Sequence, residues 1–210
     1  MMSALQQSFW DRLTGVVSLQ RPTYEAIQRD PEATGQSWLI VILLGLANGI
    51  SWIIVSTTGV PPELTRAAPE LVDSLRFESN ERRLLALVLG IVVGVVFWYI
   101  SAWLLRAVGT RMSAVTGREL TAEQMRRLVA WGSVPSLAAF LSPIPVLGPV
   151  LATLGSFWSF VTGVMAVRTA FDVGIGKAIA IELVAFVVVF VLLVIVFVIV
   201  AIILAAMMPR

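Results

Sequence analysis

Four serines, Ser133, Ser136, Ser156 and Ser159, fall in a charge-free stretch, and a serine nucleophile works only with a base beside it. The chain has no histidine, and no lysine lies inside an apolar run. No residue is therefore expected to be catalytic, and the chain is expected not to be an enzyme. Cysteine is absent as well, which removes disulfides, thiol nucleophiles, palmitoyl and prenyl anchors, and zinc or haem sites of the usual kind. No metal site and no cofactor are expected.

Two polar residues stand out because apolar sequence surrounds them: Asn48, and Glu182 about one turn into the last apolar run. An ionisable group in hydrocarbon costs a few kcal/mol on insertion scales, so it needs a partner or a purpose. One reading is an ion or proton pathway. The other is a carboxylate near the interface that reaches water or Arg168, since Lys177 is five positions away and off its face. Pro135, Pro143 and Pro145 divide in the same way, between helix breaks that line a transport cavity and a kink followed by a hairpin. With no inverted repeat visible between the halves, the hairpin is the better reading.

The elements that must position these residues follow from composition. Of 210 residues, 58% are hydrophobic and 13% charged, against about 45–50% and about 25% in soluble domains. The chain is expected to be an all-α polytopic membrane protein, a bundle of five transmembrane helices with short amphipathic N-terminal helices. Residues 1–36 form a cytoplasmic amphipathic segment with Leu5, Phe9, Leu13, Val16 and Val17 at helical spacing. That stripe fits a cap packed on the bundle or an interfacial anchor. Residues 37–208 form the transmembrane domain, with spans at about 37–57, 84–105, 127–142, 147–167 and 178–208. The 40 residues from 128 to 167 carry no charge; as one helix they would measure about 60 Å, so they must turn, and Ser142-Pro143-Ile144-Pro145 is the turn. A further interfacial helix is expected around Leu64, Ala68, Leu71, Val72 and Leu75.

Small residues recur at Gly45 and Gly49, at Gly90 and Gly94, and at Gly148, Ala152, Gly155, Ser159 and Gly163. Such stripes let helix backbones touch, which is the usual packing device where lipid removes the hydrophobic drive. Packing within one chain is the first reading and a homo-oligomer seam the second. Arg106, Arg111, Arg118, Arg126, Arg127 and Arg168 form a basic girdle that holds topology, with anionic lipid head groups as a secondary partner. Five spans place ten of the 15 basic residues on the side of the amino terminus, so the amino terminus is expected in the cytoplasm and the carboxyl terminus outside. The charges thus speak of the bilayer rather than of nucleic acid, which is not expected as a partner.

Several strings in this order resemble the Yip family, the Rab-interacting type of five-span membrane protein. They are Trp10-Asp11-Arg12-Leu13-Thr14-Gly15-Val16 with Pro22 following, Arg127-Leu128 leading to Trp131-Gly132-Ser133-Val134-Pro135, and Pro145, Gly148, Trp158, Gly163, Arg168 and Lys177-Ala178. The resemblance covers nearly the whole chain. It implies a non-catalytic integral membrane protein of the cell membrane that organises membrane or binds membrane or cytoplasmic partner proteins, in a trafficking or scaffold-like role. A short aqueous amino-terminal region without an Asp-Leu-Tyr-Gly-Pro type motif resembles the bacterial-type members. The alternative class is a small-solute or ion transporter or channel using Glu182 and Asn48.

Overall fold

The computed structural model describes residues 8–58, 66, 69, 72–73, 76–113 and 120–207. Most of the helix expected around Leu64 to Leu75, residue Arg118, and the end of the last span at 208 lie outside the described residues. The elements are α1 (Phe9–Val17), α2 (Arg21–Arg29), α3 (Ala33–Thr58), α4 (Asn80–Met112), α5 (Ala122–Gly132), a 3-10 helix (Val134–Leu141), α6 (Leu147–Phe171) and α7 (Ile175–Met207). No strand occurs among the described residues. Among the described residues, four helical stretches are long and apolar enough to cross a membrane: Ala33–Ser56, Asn80–Met112, Leu147–Phe171 and Ile175–Leu192.

Local chemistry sets the boundaries. Ser8 and Asp11 make a reciprocal capping box that starts α1, and Thr121 and Gln124 make the same box for α5. Each box satisfies two of the backbone N–H groups that a helix start leaves free. The third expected span, 127–142, is not one continuous helix. At Ser133 the backbone N–H is shared between the carbonyls of Val129 and Ala130, and Pro135 has no N–H to continue the α-ladder. The chain tightens there into the 3-10 helix. It then reverses at Pro143 to Val146, where Leu147 N donates to Pro145 O at 2.7 Å across Val146, whose φ is 64°. Positive φ at a β-branched residue is a strained conformation.

The packing is inside out along most of the bundle. On α4, Leu84, Leu85, Val88, Val92 and Val96 are exposed, and on α7 so are Leu183, Phe186, Val187 and Phe190; this is where lipid tails would lie. The helices meet instead through glycine. A Cβ at Gly49 would come within 2.8 Å of Ala86 O and Leu87 Cα, one at Gly90 within 2.8 Å of Gly49 N, and one at Gly94 within 3.3 Å of Gly45 Cα. α3 and α4 therefore touch backbone to backbone, which only hydrogen-sized side chains allow. The stripe on α6 faces the preceding limb: Gly148 lies against Leu141, Gly155 against Pro135 and Ala138, and Gly163 lies beside Gly132. Among the described residues, these stripes are used within one chain.

A conventional core gathers at one end. Tyr24, Ile27, Leu128, Trp131 and Val167 are fully buried together, with Val16 and Phe171 beside them. The amphipathic stripe of α1 and α2 is thus spent on the bundle, as a cap, and Trp158 Nε1 donates to Val17 O at 3.0 Å. Trp10 alone among the large apolar side chains of α1 is strongly exposed, at 71%.

The seam between α3 and α4 yields the first prediction. Gly90→Ala forces the two backbones apart and costs about 1–3 kcal/mol, whereas Gly35→Ala, with nothing within 4 Å of the added Cβ, changes nothing. Thermal melting in detergent checks the pair, and equal melting temperatures for the two variants would contradict a backbone contact.

Candidate functional site

Two polar assemblies are built into this bundle. The first lies at the capped end. Arg12 of α1 is ion-paired with Asp30, the residue that ends α2, and both are almost completely buried. Arg12 also donates to Gln36 Oε1 at 2.8 Å. From the other side, Arg127 of α5 donates to the Asp30 carbonyl, and it too is buried, at 5% exposure. Asp30 Oδ1 takes the Glu32 N–H at 2.9 Å. A single short turn thereby receives two guanidinium groups and locks α1, α2, the start of α3, and α5 together. Tyr24 adds a bond from its hydroxyl to Val16 O at 3.0 Å, and burial raises its pKa well above the ordinary tyrosine range.

A solvent-facing pair completes this end. Arg21 of α2 reaches Asp172 Oδ1 at 2.5 Å and Glu25 Oε1 at 3.0 Å, and the hydrogen bond to Asp172 is the main cause of its raised pKa. Asp172 sits in the left-handed conformation just after α6, with φ 50°, a position its short polar side chain tolerates. The α6–α7 turn is tied to α2 by this contact.

The second assembly is a pair of cavities inside the bundle. The larger, about 240 Å³, is lined by Asn48, Ser101, Ser133, Ser136 and Ser156, together with Phe97, Trp98 and other apolar groups. The smaller, about 50 Å³, is lined by Ser133, Ser159, Gly132, Gly163 and Glu182 among others. Ser133 and Val129 belong to both linings and form a common wall. Asn48 and Glu182 thus sit on opposite sides of one wall, in different chambers.

Several expected residues sit elsewhere. Within the expected girdle, Arg106 and Arg111 are exposed and Arg126 lies over the Tyr99 ring at 4.8 Å. Arg127 leaves the girdle altogether, because the Asp30 carbonyl holds it in the core. Arg168 does not partner Glu182: no ion pair joins them, and the Arg168 Nε is enclosed without a hydrogen bond. Pro135 starts the 3-10 helix, and Pro143 and Pro145 lie in the hairpin. No group of three or more potential metal ligands occurs among the described residues. Sequence reasoning missed the Arg12–Asp30 pair, since Asp30-Pro31 reads equally well as a helix stop. The available signal was an arginine within an otherwise apolar stripe.

The family comparison can be set against this geometry. The model of the Yip1 domain matches residues 15–207. The chain belongs to the Yip1-domain family. No curated protein and no solved structure gives a significant match. The match takes in Asp30, Arg127, the hairpin and both cavities, and begins three residues after Arg12. This Yip-family chain is a helical membrane protein whose capped end is organised around one buried aspartate.

The buried pair separates sharply from the exposed one in a stability measurement. Arg12→Met leaves the Asp30 carboxylate enclosed and short of a cation, at a cost of about 3–5 kcal/mol, and adding Asp30→Asn recovers part of the loss. Arg21→Met leaves the melting temperature unchanged, as exposed pairs contribute little. A large drop for Arg21→Met with none for Arg12→Met would reverse this assignment.

Proposed function

We propose that this Yip-family protein is a non-catalytic organiser that crosses the cell membrane five times and presents its capped end to partner proteins in the cytoplasm. The observation that carries the reading is the Arg12–Asp30–Arg127 lock. It fixes two helices on the bundle, and the Arg12 and Asp30 side chains and the Asp30 carbonyl are engaged in doing so. Exposed on the surface of those helices are Trp10 and Val17 with the polar groups of Asp11, Thr14 and Arg29. An exposed aromatic anchor with a polar surround is the composition of a protein contact. Bilayer lipid surrounds the apolar faces of α4 and α7, and anionic head groups lie near Arg106 and Arg111.

Five crossings rest on how far the α5 limb reaches. Thr34 Oγ1 donates to Glu123 Oε1 at 2.8 Å near the start of α5, and Ser51 Oγ meets Ser142 Oγ at 3.1 Å at the hairpin. Along α3, positions 34 and 51 are about 26 Å apart, close to the ~30 Å of a hydrocarbon core. The 3-10 helix supports that reach, because it rises about 2 Å per residue. The basic residues then favour a cytoplasmic amino terminus and an external carboxyl terminus.

Crosslinking in native membranes tests the role. A defined partner recovered with the wild-type chain is lost from Trp10→Ala while the bundle melts normally. Solute or ion flux through proteoliposomes, abolished by Glu182→Gln, overturns the organiser reading in favour of a transporter. Topology is tested separately, since a chain without cysteine accepts a single reporter thiol. Ile144→Cys reacts with an impermeant maleimide added outside intact cells; labelling only after permeabilisation means that the α5 limb does not cross, which leaves four crossings.

A further inference from the structure

Glu182 lies in the α7 stretch Ile175–Leu192, long and apolar enough to cross a membrane. Its carboxylate points towards Gly163: a Cβ there would meet Glu182 Oε1 at 2.8 Å. The missing side chain at 163 therefore makes the room that the carboxylate occupies. Oε2 is fully enclosed and has no hydrogen-bond partner, and no ion pair to Glu182 exists among the described residues. Among the described residues, the cations on the elements around it form no ion pair with it. Arg106 of α4 donates to Leu120 O and Arg127 of α5 to Asp30 O. Arg168 of α6 and Lys177 of α7 make no ion pair. Enclosing a carboxylate without a partner costs several kcal/mol, a cost that a proton or a cation held beside it offsets.

The small cavity beside the carboxylate is lined by two serines. Its hydroxyl hydrogens are already committed. Ser133 Oγ donates to Val129 O at 2.8 Å, Ser136 Oγ donates to Ser159 Oγ at 2.7 Å, and Ser159 Oγ in turn is aimed at Ser133 O at 3.4 Å. What these oxygens offer the cavity is lone pairs, beside the Glu182 carboxylate and the apolar side chains of Leu105, Met125, Val129, Ala166 and Val167 that complete the lining. Such a lining rejects anions and takes a cation. The volume of about 50 Å³ holds an alkali cation with about one water, given about 30 Å³ for each water. A single carboxylate is too little charge for a divalent ion that dehydrates reluctantly.

We propose that Glu182, with the oxygens of Ser133 and Ser159, binds a monovalent alkali cation in the cavity between α5, α6 and α7. The site is independent of the partner-binding role, and it holds the cation at equilibrium without requiring passage across the membrane. Gly163 keeps the space open, and Ser133 is the shared wall towards the larger hydroxyl-lined cavity.

The test uses the purified full-length chain in detergent. Radioactive sodium is bound by the wild type, non-radioactive sodium or potassium competes, and choline at the same ionic strength does not. Thermal melting in sodium chloride exceeds that in choline chloride. Glu182→Gln abolishes both effects, and Ser133→Ala weakens cation affinity about tenfold, the loss of one ligating oxygen worth about 1.4 kcal/mol. Should Glu182→Gln fail to fold, Ser133→Ala and the wild-type competition curve decide. No alkali-dependent binding or melting shift in the wild type, or a shift that survives in Glu182→Gln, overturns the proposal and leaves Glu182 a carboxyl that holds only its proton. Binding without flux in proteoliposomes keeps both this site and the organiser reading, whereas loss of a crosslinked partner bears on the latter alone.

Discussion

Lipid gives helices no reward for hiding apolar surface from one another, and the architecture follows from how this chain works around that fact. Dispersion contacts and interhelical hydrogen bonds must supply the association, and both fall off steeply with distance. Glycine at 45, 49, 90 and 94 brings two backbones to contact distance. Elsewhere a threonine does it: Thr162 Oγ1 donates to Gly132 O at 2.5 Å across the α5–α6 seam. Many of the leucines and valines that would hold a soluble bundle together, such as Leu84, Val88 and Val92 of α4 and Leu183 and Val187 of α7, are turned outward.

On the proposed placement, water is again the solvent at the capped end and ordinary rules return. There Tyr24, Ile27, Leu128 and Trp131 form a dense core, and burying them is favourable because the alternative is exposure to water. The two regimes meet at α5. Its first turn is exposed and carries Glu123, its middle supplies Arg127 to the Asp30 carbonyl, and its end passes into the 3-10 limb beside α3 and α6. The run from 128 onward carries no charge, which is why 127–142 reads as one span although it folds as two shorter pieces.

Much of this was legible in the sequence. Charge-free runs set the long helices, and Thr121 with Gln124 marked the start of α5. Spacing of small residues marked the faces where helices touch. Tertiary pairing was not legible, because it joins residues far apart in the chain. Asp30 and Arg127 are 97 positions apart, and Ser51 and Ser142 are 91 apart. Nothing local distinguishes an arginine that will be enclosed from one that faces head groups, so Arg127 was counted with Arg126 although the two point to different surroundings.

The two buried carboxylates show how differently the same problem is met. Asp30 is surrounded by groups the chain itself provides: a guanidinium on its side chain, another on its carbonyl, and a backbone N–H. These contacts come from separate elements, so satisfying the charge and assembling the cap are one event. Glu182 receives nothing of this kind among the described residues, although glycine has been placed opposite it to give it space. Beside it lies a cavity whose two serine hydroxyls are hydrogen-bonded to other partners. The contrast separates a charge that builds the fold from one the fold leaves available.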